Sequence, residues 1–265
     1  MIGNIARRVL ARAKHMGDGF LGNAARSASA ASESAVNLDS FDPTQVQLLE
    51  EQCILVDEQD RVLGSGSKKD CHLMTNINKG LLHRAFSVFL FNSKDELLLQ
   101  QRSDAKITFP GRFTNTCCSH PLYVADELEE TDATGVKKAA QRRLFIELGI
   151  DPKEVPLESI RYLTRILVQG TFRLGSGAKT RWTTSFLYRR TVRVKPNPNE
   201  VKESLYLARE DMLPFITSLE AQGQVITPWF KLVVENFLFK WWDNLHSLEQ
   251  FEDHQKIHHL TEKRA

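Results

Sequence analysis

The sequence predicts a mixed α+β domain, and three observations carry that prediction. Strand-like stretches come first along the chain. One stretch of helical apolar period, Val136 to Leu148, follows them. Two more strand-like stretches and an apolar C-terminal helix complete the order, which is that of a mixed α+β domain.

The folded part is expected to start near Asp42, giving a domain over residues 41–265. "QCILVDEQDRVLGSGSKK" reads as strand, turn, strand. "HRAFSVFLFNSKDELLLQQR" gives an apolar strand, a polar turn at Asn92–Glu96 and a second strand from Leu97 to Gln101. Val136, Ala140, Leu144 and Leu148 share one helical face, with Gly149 just past the end and Pro152 beyond it. Strands are expected at Tyr162–Val168 and near Phe186–Val194. In "TPWFKLVVENFLFKWWDNL" Thr227 stands as N-cap and Pro228 at the first helical position. No internal repeat is visible.

Composition excludes several classes. The chain has 265 residues, 42% hydrophobic and 26% charged, with 35 Lys+Arg against 33 Asp+Glu. These are the proportions of a globular domain. The longest largely apolar run, Ala85 to Phe91, is too short to span a bilayer, so no membrane insertion is expected. No basic patch alternates with aromatics, which argues against nucleic acid as a partner. Four scattered cysteines, Cys53, Cys71, Cys117 and Cys118, argue against a disulfide scaffold. Residues 1–40 differ from the rest: Arg7, Arg8, Arg12 and Lys14 precede the first acid, Asp18, and "AARSASAASESA" is low in complexity. This has the character of a transit peptide, with a tail that carries no address as the alternative. A mitochondrial leader is the expectation, with cytoplasmic or peroxisomal residence otherwise.

Chemistry concentrates in a few places. "CCSH" at 117–120 holds a vicinal cysteine pair, whose geometry disfavours a structural bridge. One thiol could donate a proton or act as a nucleophile; equally, both could be small buried residues. His72, His83 and His120 offer three imidazoles for a divalent metal, or are scattered polar histidines. Lys68, Lys69, Arg102 and Lys106 are cations suited to a diphosphate, or solvated turn residues.

"KGLLHRAFSVFLFN", "LLLQQRSDAKITFPGRFTNTCCSHPL", "AAQRRLFIELGI" and "TPWFK" with "FLFKWWDNL" together resemble type I isopentenyl-diphosphate isomerases over roughly residues 45–257. The resemblance implies a Nudix-type α/β/α sandwich and the interconversion of isopentenyl and dimethylallyl diphosphate. It also implies roles. Cys118 matches the catalytic thiol, and Trp229 an indole facing the cationic carbon. His72, His83 and His120 match ligands of a divalent metal (Mg²⁺, with Mn²⁺ or Zn²⁺ as alternatives at the histidines). Glu147 matches a carboxylate for the Mg²⁺ carried by the diphosphate. Lys68, Arg102, Lys106 and Ser119 match contacts to the diphosphate. A monomer acting on a small diphosphate is expected.

A Nudix hydrolase would need the helix pattern R-E-U-x-E-E-x-G-U, where U is apolar. Here that register reads Arg142 to Ile150, with Arg143 and Ile146 in place of two glutamates. Too few ligands remain for hydrolysis at a multi-metal site.

The chain departs from the isomerases in one segment. From Ser159 to Asn199 it contains no acid. The isomerases carry W-G-E-x-E-x-D-Y-I after "YLTRI", with both glutamates on the metal and the second acting opposite the thiol. Lys179 and Arg181 stand near those positions here. Read literally, such a chain would be a catalytically silent diphosphate-binding protein. A different explanation is a frame shift. Codons chosen for Ser176–Ser185 and read from the third base give W-G-E-N-E-M-D-Y-I, and those for Val168–Leu174, read from the second, give Y-K-A-P-S-D. The literal residues are expected to form an ill-packed loop where a strand should run.

Overall fold

A computed structural model describes residues 38–171 and 178–261, with backbone alone for 74, 169–171, 178–182 and 261. Most of the leader, up to residue 37, lies outside the described residues.

Helix α1, Pro43–Gln47, starts where a cap dictates: the Asp42 carboxylate accepts from the amides of Thr44 and Gln45 at 2.9 and 3.2 Å, with Pro43 in the first turn. Strands β1 (Gln52–Val56) and β2 (Val62–Ser67) form an antiparallel hairpin. Ser67 then caps α2, Lys68–His72, by accepting from the Asp70 amide at 3.0 Å. A second short helix, α3 (Met74–Asn78), leads into β3, Leu82–Phe91. Every residue of β3 is buried. The turn after it is made by Asn92, whose side-chain oxygen accepts from the amides of Lys94 and Glu96 at 2.9 and 3.0 Å. It delivers β4, Leu97–Arg102.

The short strands β5 (Phe113–Thr114) and β6 (Cys117–Ser119) follow, then α4, Thr134–Leu148. The four residues read as one apolar face, Val136, Ala140, Leu144 and Leu148, are all buried. Gly149 ends the helix with φ +61°, and a Cβ there would also meet the Lys195 carbonyl at 2.5 Å. Strands β7 (Arg161–Thr171), β8 (Ala178–Arg189) and β9 (Val201–Leu207) precede α5, Met212–Ala221. Helix α6, Pro228–Val233, runs through a π turn at Val234–Leu238 into α7, Phe239–Trp242, and β10 (Asp253–Thr261) closes the described chain. Thr227 is the N-cap as expected, but its hydroxyl makes no capping bond; it donates to Thr114 Oγ1 at 2.7 Å.

The strands form one mixed sheet in the order β10-β7-β8-β3-β1-β2, with β4 and β6 also on β3, and β5 and β9 on β4. Strand β3 is its axis. On one edge it pairs with β8, in parallel, from Arg84–Trp182 to Phe91–Arg189. On the other it meets β1, β6 and β4 in turn. Side chains alternate along it. Phe86, Val88 and Leu90 pack with α4, whereas Phe89 and Phe91 pack with the C-terminal helices. Helices therefore cover both faces, the α/β/α arrangement expected.

The expected loop before Trp182 is corrected from Ala178 onward. Residues 178–189 run as a strand, bonded to β7 on one side and, from Trp182, to β3 on the other. The β7 ladder from Ala178 to Leu187, joined from Trp182 by that of β3, outweighs poor side-chain alternation. The mismatch surfaces in the side chains instead. Thr183 and Ser185 are buried in this central strand, and neither hydroxyl finds a hydrogen-bond partner among the described residues; nor does that of Thr164 on β7. Residues 172–177 lie outside the described residues.

Candidate active site

The antiparallel pairing of β6 with β3 separates the two cysteines. Val88 faces Cys117 and Ser87 faces Cys118 in the ladder. Alternation then turns Cys117 into the α4 side of the core, fully buried, where burial pushes its thiol well up. Cys118 turns the other way, is half-buried, and accepts a hydrogen bond from Ser87 Oγ at 3.4 Å. All four cysteines are free thiols.

Three elements bring the imidazoles together: α2 carries His72, β3 carries His83, and the residue after β6 is His120. Their ring centroids are 4.9 to 5.2 Å apart, and one nitrogen from each lies within 4.8 Å of the others. The Lys68 carbonyl accepts from His72 Nδ1 at 2.5 Å, which assigns the proton to that nitrogen and leaves Nε2 as the nitrogen that could bind a metal. Arg142 steadies the third histidine from α4: it donates to the His120 carbonyl at 3.4 Å while paired with the buried Glu127. Neutral imidazole donors converging at this spacing fit a divalent cation.

A cleft of about 630 Å³, its mouth included, opens beside this cluster. Lys68, His72, Arg102, Lys106, Cys118, Ser119, His120, Glu147 and Trp229 all line it. His83 lies behind, reached through the rings of His72 and His120. The remaining position of the expected constellation, the pair near Lys179 and Arg181, falls on residues whose side chains are not described.

The cleft lining combines cations with aromatic side chains. The Lys106 ammonium meets Glu200 at 2.6 Å, and Lys68 pairs with Glu51 at 3.1 Å. Burial pulls Lys106 down to about 8 against the attraction of Glu200. The Trp229 indole lies on the first turn of α6, its N–H directed to Asn115 Oδ1 at 3.3 Å. Phe109 packs edge-on against it at 5.3 Å between centroids. The Arg102 guanidinium sits 5.9 Å from the indole centroid and donates to the carbonyls of Thr108 and Phe109 at 2.6 to 3.1 Å, shaping the loop after β4.

The sequence reading missed three participants. Arg143 and Gln45 also line the cleft, and Glu200 lies beneath it. Arg143 stood out only as a residue displacing a hydrolase glutamate. Gln45 and Glu200 belong to no periodic or clustered pattern, so nothing local marked them.

Residues 81–230 match the model of the NUDIX domain. The chain is 54% identical over 231 residues to "Isopentenyl-diphosphate Delta-isomerase 1" of Bos taurus, covering 85% of this chain and 99% of that one. It is 46% identical to "Isopentenyl-diphosphate delta-isomerase 2" of Homo sapiens over 86% of this chain and all of that one. Against the Arabidopsis thaliana "Isopentenyl-diphosphate Delta-isomerase II, chloroplastic" identity is 49%, over 83% and 79% of the two chains. Identity at this level, over this length, favours an isomerase over a silent binding protein. With a Nudix sheet, a thiol and an indole in one cleft, and three converging imidazoles, the chain belongs to the isopentenyl-diphosphate delta-isomerase family of Nudix-fold enzymes.

Proposed function

We propose that this protein interconverts isopentenyl and dimethylallyl diphosphate, adding a proton on one face of the olefin and removing another from the opposite face. The observation that carries the reading is one cleft lined by Lys68, Arg102 and Lys106 together with Cys118 and Trp229. Lys68, Arg102, Lys106 and Ser119 bind the diphosphate, which stays intact and serves as the handle that positions the reacting carbons. Cys118 exchanges a proton with the olefin. The carbocation this creates is tertiary and is attracted to the Trp229 face, an interaction worth about 0.5–2 kcal/mol. The surrounding apolar side chains exclude water that would trap it.

His72, His83 and His120 would hold a divalent ion, Mg²⁺ in this reading with Mn²⁺ or Zn²⁺ as imidazole-compatible alternatives, and Glu147 would contact the Mg²⁺ that accompanies the diphosphate. Such an ion, when bound, would supply fixed positive charge to the cleft. Lys179 and Arg181 supply neither a metal ligand nor a base; carboxylates there, as the shifted reading frame gives, would complete that ligand set and provide the proton-transfer group opposite the thiol. Position 181 immediately precedes the Arg84–Trp182 pair, so its backbone stands level with His83 on the neighbouring strand. Residues 1–40 act as a mitochondrial leader ahead of a monomeric catalytic domain at 41–265. Cytoplasmic or peroxisomal residence is the outcome if they do not.

The direct test incubates the full chain with isopentenyl diphosphate and Mg²⁺ and follows dimethylallyl diphosphate by NMR. Isomerisation without phosphate release is expected once positions 179 and 181 carry glutamate, and release of phosphate in its place would overturn the reading. The frame is tested separately. Lys179→Glu with Arg181→Glu should tighten Mn²⁺ binding at least about tenfold in calorimetry, since it removes two cations and adds two oxygen ligands. Unchanged affinity, or a transcript that encodes the printed residues without interruption, would remove the frame-shift reading.

A further inference from the structure

One buried carboxylate has no part in the chemistry above. Glu200, just before β9, is 4% exposed, yet three side chains from three different parts of the chain donate to it. Lys106 Nζ lies 2.6 Å from Oε2, Arg143 Nη2 lies 3.1 Å from the same oxygen, and Gln45 Nε2 donates to Oε1 at 3.2 Å. Its own backbone is fixed as well: the Glu200 carbonyl accepts from Ser103 at 3.0 Å, and the Glu200 amide donates to Asn197 at 2.9 Å. Arg143 continues the chain to Glu147 at 2.7 Å, and Gln100 donates to the far oxygen of Glu147 at 2.8 Å. Gln45, Lys106, Arg143 and Glu147 all line the cleft, and Glu200 is an anion that two of its cations, Lys106 and Arg143, share.

From this geometry we infer that Glu200 is a positioning residue for the diphosphate handle: its carboxylate holds the Lys106 ammonium and the Arg143 guanidinium side by side in the cleft. The inference rests on the reading of the cleft as the diphosphate site.

Like charges this close, out of water, repel strongly. Lys106 is faced by Glu200 from the segment before β9, by Arg143 and Glu147 from α4, by Arg102 from β4 and by Lys68 from α2. Before substrate arrives, a fixed anion is required to keep that group of cations in place and charged. Burial works to raise the Glu200 carboxyl, but Lys106 and Arg143 outweigh it and hold it at about 2, so the anion is present throughout the working range. Lys106 is already drawn down to about 8 by burial. Removing Glu200 takes away its largest opposing attraction, so the ammonium would lose its proton at still lower pH.

The experiment compares wild type, Glu200→Gln, Glu200→Asp, Lys106→Met and the double variant Lys106→Arg with Glu200→Gln. Each is the full chain with Mg²⁺ and with glutamate at positions 179 and 181, assayed for isomerisation from pH 6 to 9 and titrated with inorganic pyrophosphate by calorimetry. Glu200→Gln is expected to raise KM and weaken pyrophosphate binding about tenfold near pH 8 with kcat within about twofold, the pattern of lost uniform binding. Its kcat/KM should fall off at least about one pH unit earlier than in wild type. Glu200→Asp should restore most of the affinity. A guanidinium at position 106, which does not titrate, should abolish the earlier fall-off. A Glu200→Gln protein with the wild-type pH profile and KM would overturn the inference. So would a uniform loss of kcat at all pH values, or failure of both Glu200 variants to fold, since either assigns Glu200 to the fold alone. If Lys106→Met leaves pyrophosphate binding unchanged, the diphosphate reading itself fails, an outcome distinct from the others.

Discussion

Two adjacent cysteines with opposite fates show how much is decided at the level of single residues. Cys117 and Cys118 are chemically identical and consecutive, and only the pleat of β6 separates them. One is sealed against α4 with its thiol pushed well up by burial, and the other reaches the cleft. Cys117→Ala should therefore leave turnover within about twofold while lowering stability by about 1 kcal/mol, the cost of a small core truncation. Urea denaturation together with the isomerase assay checks both halves. From sequence, "CCSH" identified the pair, and the resemblance selected the second cysteine; the alternation that explains the choice needed the β3–β6 register. Glu200 is the opposite case. A single acid in "NPNE" has no local signature, because its significance comes from Gln45, Lys106 and Arg143, which are distant in sequence and meet only in the fold.

At the scale of elements, helix α4 was the most legible. Its four-residue apolar face and its glycine stop are both in the sequence, and the observed Thr134–Leu148 differs from the expected span by two residues at the start. Strand β8 was the least legible. Its residues read as a poor strand, yet backbone pairing to β7 and β3 imposes one, at the cost of burying hydroxyls. An unpaired buried hydroxyl costs about 1–3 kcal/mol. Ser185→Ala is therefore expected to stabilise the chain, by about 1 kcal/mol, where a serine-to-alanine change in a central strand would ordinarily be neutral or harmful. A rise in thermal midpoint is the expected result; a fall would show that the Ser185 hydroxyl is satisfied. In the shifted frame an isoleucine replaces Ser185, which is the kind of residue a fully buried strand position selects.

Across the whole molecule, the site is assembled at the centre of the sheet by elements that each contribute little alone. Strand β3 supplies His83 and the partner for β6; β6 and the residue after it supply Cys118, Ser119 and His120; α2 supplies Lys68 and His72; α4 supplies Arg143 and Glu147; α6 supplies Trp229. The sequence made the chemistry visible because nearly all of these residues sit in long matching stretches. It could not show that a cation cluster needs an internal anion, because that requirement arises only when the chain packs.

The account's central claim is that the Cys118 thiol exchanges a proton with the olefin of a diphosphate held in this cleft. The measurement that reaches it most directly is deuterium uptake from D₂O into isopentenyl and dimethylallyl diphosphate, followed by NMR, for wild type and Cys118→Ala, both with glutamate at positions 179 and 181. Pyrophosphate affinity measured alongside reports whether the cleft remains intact. Wild type should incorporate deuterium as it isomerises, and Cys118→Ala should lose at least about 10³-fold in rate, at the scale of a missing acid–base group, with pyrophosphate binding kept. Wild-type exchange by Cys118→Ala would contradict the account.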